Sequence, residues 1–165
     1  MDKMIRPLYR NVLVLINGSE SSIQAAKYGI LMSKLYRCKL KAIYVVDTAT
    51  LKQLTLNKFF VSEESKEYES SLTSDGQRYL QYVEDLAKSK GVILQTELKS
   101  GSIWSETVAA AENMEADLIL LGGLDPNIKD KHDILSSTYK EILTNAPCSV
   151  QLVKEKMIDQ LYKLA

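Results

Sequence analysis

Two adjacent glycines, Gly122-Gly123, follow the apolar run Leu118 to Leu121, and three hydroxyl residues, Ser136-Ser137-Thr138, come a short loop later. Glycine lets backbone N–H groups approach an anion with no Cβ in the way, and hydroxyls at the start of a helix add donors beside its positive end. The pattern is a phosphate site in outline. Against it, Asp125 would repel phosphate, Pro126 has no N–H to give, and neither a GxxxxGK[ST] nor a GxGxxG occurs. The blander reading, in which these residues turn the chain and cap a helix, asks less of them. Asn17-Gly18-Ser19 and Val46-Asp47 end two further apolar runs. In an open parallel sheet such strand ends border the crevice where ligands bind.

Other candidates reduce to structural roles. His132 stands among Asp130, Lys131 and Asp133 in a polar stretch, where a solvated imidazole is the simpler expectation than a general base. Trp104 reads as an anchor at the start of a helix. Glu63-Glu64 and Glu67-Tyr68-Glu69 form an acidic helix start that suits the macrodipole without a metal. Cys38 and Cys148 lack metal-ligand or CxxC spacing, so structural thiols in a reducing compartment are expected. No nucleophile, base and orienting group come together, and no catalysis is expected.

The elements that must position these residues alternate. Asn11 to Ile16 is a continuous apolar run, as a strand covered on both faces would be. Ser19 or Ser21 then caps a helix with Ile23, Ala26, Ile30 and Tyr28, Leu31, Leu35 at helical spacing. Lys41 to Val46 is a second strand, so the crossover between the two is right-handed and parallel. Residues 48 to 62 have no clean period and read equally as a long loop or a short helix. A long helix from Glu63 to Lys90 carries Tyr68, Leu72, Tyr79, Val83 and Leu86 on one stripe, with Gly76 as the place for a bend and Gly91 as its stop. Tyr82 lies off that stripe and should face water. Val92 to Leu98, Trp104 to Glu115 and Asp117 to Leu121 continue as strand, helix and fully apolar strand. After a polar stretch from 123 to 133, Ile134 to Asn145 is helical and Ala146-Pro147 breaks it. Cys148 to Val153 alternates Cys148, Val150, Leu152 with Ser149, Gln151, the pattern of a strand less covered on one face, as at a sheet edge. Met157, Ile158, Leu161 and Leu164 give the tail from Lys154 to Ala165 an apolar helical stripe, fit to pack on its own sheet or on a partner.

With 165 residues the chain suits one domain spanning 1–165, its core from 11 to 153 and its tail from 154 to 165. Lys plus Arg and Asp plus Glu each number 21, so no global field draws it to nucleic acid or anionic lipid. The apolar runs are strand-sized, so no membrane association is expected, and a cytoplasmic location follows from the want of a signal-like block.

Several motifs in order resemble the universal stress protein family from Asn11 to Val153. Val-Leu-Val-Leu-Ile-Asn17-Gly18-Ser19-Glu20 is similar to the family's first strand and its Asp-Gly-Ser-type turn. Ser100-Gly101, Ala116-Asp117-Leu-Ile-Leu-Leu-Gly122 and Asn145-Ala-Pro147-Cys148-Ser-Val resemble its later strands and their approaches. The resemblance implies a three-layer, Rossmann-like α/β fold of the adenine nucleotide alpha hydrolase-like kind, with an open parallel five-stranded sheet in the order 3-2-1-4-5. It implies a homodimer paired through the fifth strand, Cys148 to Val153, and a role in stress resistance. ATP-binding members carry a Gly-x2-Gly-x9-Gly-Ser/Thr loop, whose positions fall here on Gly123, Pro126, Ser136 and Ser137. The first glycine and the final hydroxyl survive, and Asn17 stands where binders carry an acid. A degenerate ATP site is therefore implied, bordered by Asn17, Ser19, Val46, Gly122, Gly123, Ser136, Ser137 and Thr138. No cofactor is expected, and the leading reading is a non-catalytic dimeric stress-response protein that acts on a further protein. The alternative keeps ATP or AMP at the same crevice as a switch, with Lys129 or Lys131 offsetting Asp125. A nucleotide-hydrolysing or adenylyl-transfer enzyme ranks third.

Overall fold

The computed structural model describes residues 5–58, 61–123 and 129–165, the stretch 129–136 by its backbone alone. Five strands, β1 (Asn11–Ile16), β2 (Lys39–Asp47), β3 (Leu94–Gly101), β4 (Leu118–Gly122) and β5 (Ser149–Val153), form one sheet in the order β3-β2-β1-β4-β5. Every neighbouring pair is parallel, with Val12 beside both Leu40 and Leu118. The helices are α1 (Glu20–Tyr36), α2 (Thr48–Leu56), α3 (Ser62–Ser89), α4 (Ile103–Asn113), α5 (Lys129–Asn145) and α6 (Ile158–Leu164).

The continuous apolar runs became the middle of the sheet because both of their faces are covered. Val12, Val14 and Ile16 point into one core with Ala25, Ala26 and Ile30 of α1 and Leu80, Val83 and Ala87 of α3. Leu13 and Leu15 point into the other, with Ala110 and Ala111 of α4 and Tyr139 and Ile142 of α5. A fully buried Val or Leu contributes about 1.5–3 kcal/mol by leaving water, so β1 and β4 anchor both layers. The first turn of α1 is set by Ser19, whose Oγ accepts the Ser22 N–H at 3.1 Å. At the opposite end of the sheet, the Asp117 carboxylate accepts the backbone N–H groups of Arg10 at 2.8 Å and Asn11 at 3.0 Å and pairs with Arg6. It ties the start of β1 to the start of β4.

Several expectations change. Residues 48–56 are helical, with Asp47 as cap and Leu51 the one buried side chain of α2. β3 runs to Gly101 instead of ending at Leu98, because its ladder with β2 continues through Val46–Ser100 and Asp47–Gly101. α5 starts at Lys129, so the backbone of 129–133, His132 included, is helical where a polar loop was expected. Side chains there lie outside the described residues, as do Asp125 and Pro126. Tyr68 and Leu35, placed on buried stripes by spacing, are 51% and 68% exposed. Gly76 lies where α3 comes down on Tyr44 and Leu98, since a Cβ there would fall 2.5 Å from the Tyr44 ring.

The tail packs within its own chain, but of the stripe its spacing suggested only Ile158 is buried, joined by Tyr162. Ile158 and Tyr162 are buried while Met157, Leu161 and Leu164 are exposed. The Tyr162 hydroxyl donates to the Leu86 carbonyl at 2.7 Å, and Asp159 pairs with Lys27 of α1 at 2.8 Å. In β5, Leu152 is 37% exposed, so its two faces do not divide as cleanly as the alternation implied. Among the described residues no helix is long and apolar enough to cross a membrane.

Candidate functional site

The carboxyl ends of β1, β2 and β4 meet α1, α2 and α5 at one end of the sheet, and the residues there are already bonded to one another. Asn17 directly follows β1, and its Oδ1 accepts both the Ser19 N–H at 3.0 Å and the Ser19 hydroxyl at 2.5 Å. The Asn side chain thereby closes a local turn. Ser22, fully buried, donates its hydroxyl to the Ser19 carbonyl at 2.8 Å and accepts the Asn17 N–H at 3.3 Å. Ser19 Oγ is thus occupied by the cap and by Asn17, and Ser21 Oγ lies 3.1 Å away. Tyr79 of α3 lies over Gly18, whose φ of 82° suits glycine, and stacks on Tyr44 with ring centroids 6.2 Å apart.

Gly122 proves to be a packing residue. A Cβ there would fall 2.6 Å from the Ser21 carbonyl carbon and 2.7 Å from the Ser22 nitrogen, so β4 and the first turn of α1 touch backbone to backbone. Its carbonyl accepts the Tyr139 hydroxyl at 3.0 Å in a buried bond. Burial disfavours the phenolate and pushes the Tyr139 pKa up to about 12, so the group is a fixed neutral donor. Gly123 is looser, with the Val153 carbonyl oxygen 3.2 Å from where its Cβ would stand.

The hydroxyl run also changes meaning. A helix N-terminus was expected at Ser136-Ser137-Thr138, yet α5 begins at Lys129 and these residues lie well inside it. Their N–H groups therefore serve the i to i−4 ladder and are not free to hold an anion. The Ser136 side chain is outside the described residues. Ser137 and Thr138 border a cleft of about 500 Å³ together with Asp47, Thr50, Ser102 and Trp104. Asp47 Oδ1 accepts the Thr50 N–H at 3.0 Å and its Oδ2 the Thr50 hydroxyl at 2.7 Å, which caps α2. Val46 is buried, and β2 runs past the last β1 pair, Ile16–Tyr44, so no part of β1 lies beside Val46.

The predicted set therefore divides. Asn17, Ser19 and Gly122 form a hydrogen-bonded and sterically closed turn, whereas Ser137 and Thr138 belong to a cleft whose described lining does not include Asn17, Ser19, Gly122 or Gly123. Tyr139, Ser22, Ser102 and Asp47's capping role were not anticipated. For Tyr139 a signal was present: with Ile142 it shares one helical face, and a buried tyrosine needs an acceptor for its hydroxyl. Among the described residues no group of His, Cys, Asp and Glu could hold a metal ion. Cys38 and Cys148 are free thiols, both raised in pKa chiefly by burial, which leaves them poor nucleophiles.

Against known proteins, the model of the universal stress protein family matches residues 8–154. A universal stress protein of Methanocaldococcus jannaschii is 33% identical over 149 residues, covering 90% of this chain and 84% of its own. A universal stress protein family member from Arabidopsis thaliana, solved with AMP bound, superposes with a TM-score of 0.61 at 16% identity over 91% of this chain and 94% of its own. A universal stress protein solved in complex with cAMP gives a TM-score of 0.63 at 19% identity over 90% and 99% of the two chains. Sheet order, helix placement and a family match over nearly the whole length agree: the chain belongs to the universal stress protein family.

Proposed function

We propose that this universal stress protein is a non-catalytic, dimeric regulatory protein whose crevice does not grip a nucleoside triphosphate. The observation that carries the reading is the state of the donors at the mouth. Ser19 Oγ is engaged by Asn17 and by the Ser22 N–H, Gly122 is jammed against α1, and residues 136–138 lie within the α5 ladder. A triphosphate bound by backbone donors needs several free N–H groups converging on it. Asp47 is the one carboxylate in the described lining of the cleft, and both of its oxygens accept bonds from Thr50 at the cap of α2. Calorimetry with ATP, ADP and AMP tests the proposal. Absent heat at millimolar ligand agrees with it, and a saturable one-to-one ATP isotherm contradicts it.

A second reading rests on the cleft of about 500 Å³ at Asp47, Trp104, Ser137 and Thr138, a volume adequate for a nucleoside monophosphate. The AMP in the Arabidopsis relative favours it. In this reading the protein is an AMP-responsive switch, and AMP alone of the three nucleotides gives a saturable signal. Dimerisation through β5 is supported by its place at the sheet edge and by the exposure of Ser149 and Leu152 on it. Sedimentation equilibrium should return a dimer mass, and a monomer at high micromolar concentration would remove that part of the proposal.

A further inference from the structure

The opposite end of the sheet holds a second cleft, of about 550 Å³, between the carboxyl ends of α1 and α3 and the starts of β2 and β3. Four cations line it, Lys34, Arg37, Lys39 and Lys90, and no Asp or Glu is among its described lining. The chain as a whole carries equal numbers of acidic and basic residues, so this concentration of one sign is local. The floor is apolar: Cys38, Leu40 and Val92 are buried there, and Ile93 stands at the rim 88% exposed.

Cations near helix carboxyl ends are common because they complement the macrodipole, and that accounts for Lys34 and Lys90. It does not account for the other two. Lys39 is on a strand, and neither Lys39 nor Arg37 has a carboxylate within salt-bridge distance among the described residues. Lys34 reaches the Ala165 carbonyl, and Lys90 lies 4.7 Å from the Tyr162 ring centroid. Each helix end contributes only about half a negative charge, so four cations outweigh two ends.

Arg37 supplies an independent observation. It caps α1 in the left-handed region at φ 57°, ψ 34°, where glycine is the usual occupant and an L side chain is strained. Gly91, across the cleft, meets the same need with φ 71° and open space around it. Lys58 and Glu115 share this positive φ elsewhere in the chain, so what sets Arg37 apart is that its guanidinium stands at the rim of a basic, apolar-floored cleft with no carboxylate partner among the described residues.

We infer that the cleft formed by Arg37, Lys39, Lys90, the apolar floor of Cys38, Leu40 and Val92 and the exposed Ile93 at its rim binds a small amphiphilic anion. Its head is a phosphate or a carboxylate that the guanidinium and ammonium groups hold, and its short apolar body lies on the floor. The site is separate from the crevice at the carboxyl ends of the strands and does not depend on it.

An NMR titration of the full chain with hexyl phosphate and with hexanoate, using inorganic phosphate and hexanol as controls, tests the inference. Saturable shifts are expected at the amides of Arg37, Cys38, Lys39, Gly91 and Ile93 with one or both amphiphiles, and which one binds tighter identifies the head group. Arg37→Gly and Lys39→Gln should each weaken binding about tenfold or more. Arg37→Gly relieves the strained backbone, so that variant should remain folded with equal or higher thermal stability, and its loss of binding is then not a loss of fold. Three results would overturn the inference: no saturable shift with either amphiphile at millimolar concentration, shifts that both substitutions leave unchanged, or inorganic phosphate or hexanol binding as tightly as the amphiphiles.

Discussion

Substituting Gly122 by alanine separates a packing glycine from a phosphate cradle. The added methyl would sit 2.6 Å from the Ser21 carbonyl carbon, 2.7 Å from the Ser22 nitrogen and 2.8 Å from the Ser21 oxygen. All three obstacles are backbone atoms in the first turn of α1, which is fixed by the Ser19 cap and by the Ser22 hydroxyl. They cannot rotate away as a side-chain tip would. Overpacking costs about 1–3 kcal/mol, and obstacles of this kind put Gly122→Ala near the top, about 3 kcal/mol. The chain's size converts that to a fall of about 6–12 °C in Tm. Gly123→Ala is the internal control: its methyl would meet the Val153 carbonyl oxygen at 3.2 Å and the Lys154 side chain at 3.4 Å, contacts that small shifts relieve. It should cost less than about 1 kcal/mol. Urea unfolding with an unchanged m-value, followed by circular dichroism, reads both. If the two variants are equally stable, within about 0.5 kcal/mol, the close approach of β4 to α1 is not what demands glycine at 122.

Two further outcomes follow from the same contacts. Tyr139→Phe removes the buried donor to the Gly122 carbonyl and should cost about 1 kcal/mol at neutral pH. Because burial raises the Tyr139 pKa from 10.0 to about 12, its contribution is whole below pH 10 and is lost as pH rises towards 12, and Tyr139→Phe should flatten that alkaline decline in urea midpoints. For Asp117, burial opposes ionisation, but the Arg10 and Asn11 N–H groups and the Arg6 guanidinium outweigh it and hold the carboxyl below its ordinary 3.8. Its contribution is therefore complete above that value and lost as pH falls through the lowered one. Asp117→Asn should cost about 1–3 kcal/mol at pH 7 and weaken the acid dependence, measured by thermal melts across an acid pH series.

Elements with a strong period or an unbroken apolar run were legible in the sequence. Asn11–Ile16 needed no correction, because a strand buried on both faces has nothing polar to blur its ends. A serine cap for α1 was readable because its chemistry is local, although sequence left Ser19 and Ser21 open and the structure selects Ser19. α2 was not, since Leu51 is its one buried residue and a single apolar side chain sets no period. The start of α5 was hidden for a related reason: Lys129-Asp130-Lys131-His132-Asp133 is charged, and helix there is indistinguishable by pattern from a polar loop. β3 outran its forecast because Lys99 to Gly101 are held by the ladder to β2 and not by their own preference. In the site, sequence could name Gly122 but not what passes beside it. The steric fact that matters, the first turn of α1 lying against its Cα, comes from a segment a hundred residues earlier. Likewise Arg37 is unremarkable as a letter, and only its φ reveals the strain.

The central proposal is that the crevice at the carboxyl ends of the strands holds no triphosphate, since among its described donors Ser19 Oγ is engaged and the N–H groups of 136–138 lie within α5. Mass spectrometry of the small molecules released when freshly purified protein is denatured tests it without choosing a ligand in advance. The account predicts no nucleotide triphosphate in proportion to the protein. One ATP recovered per chain would contradict it.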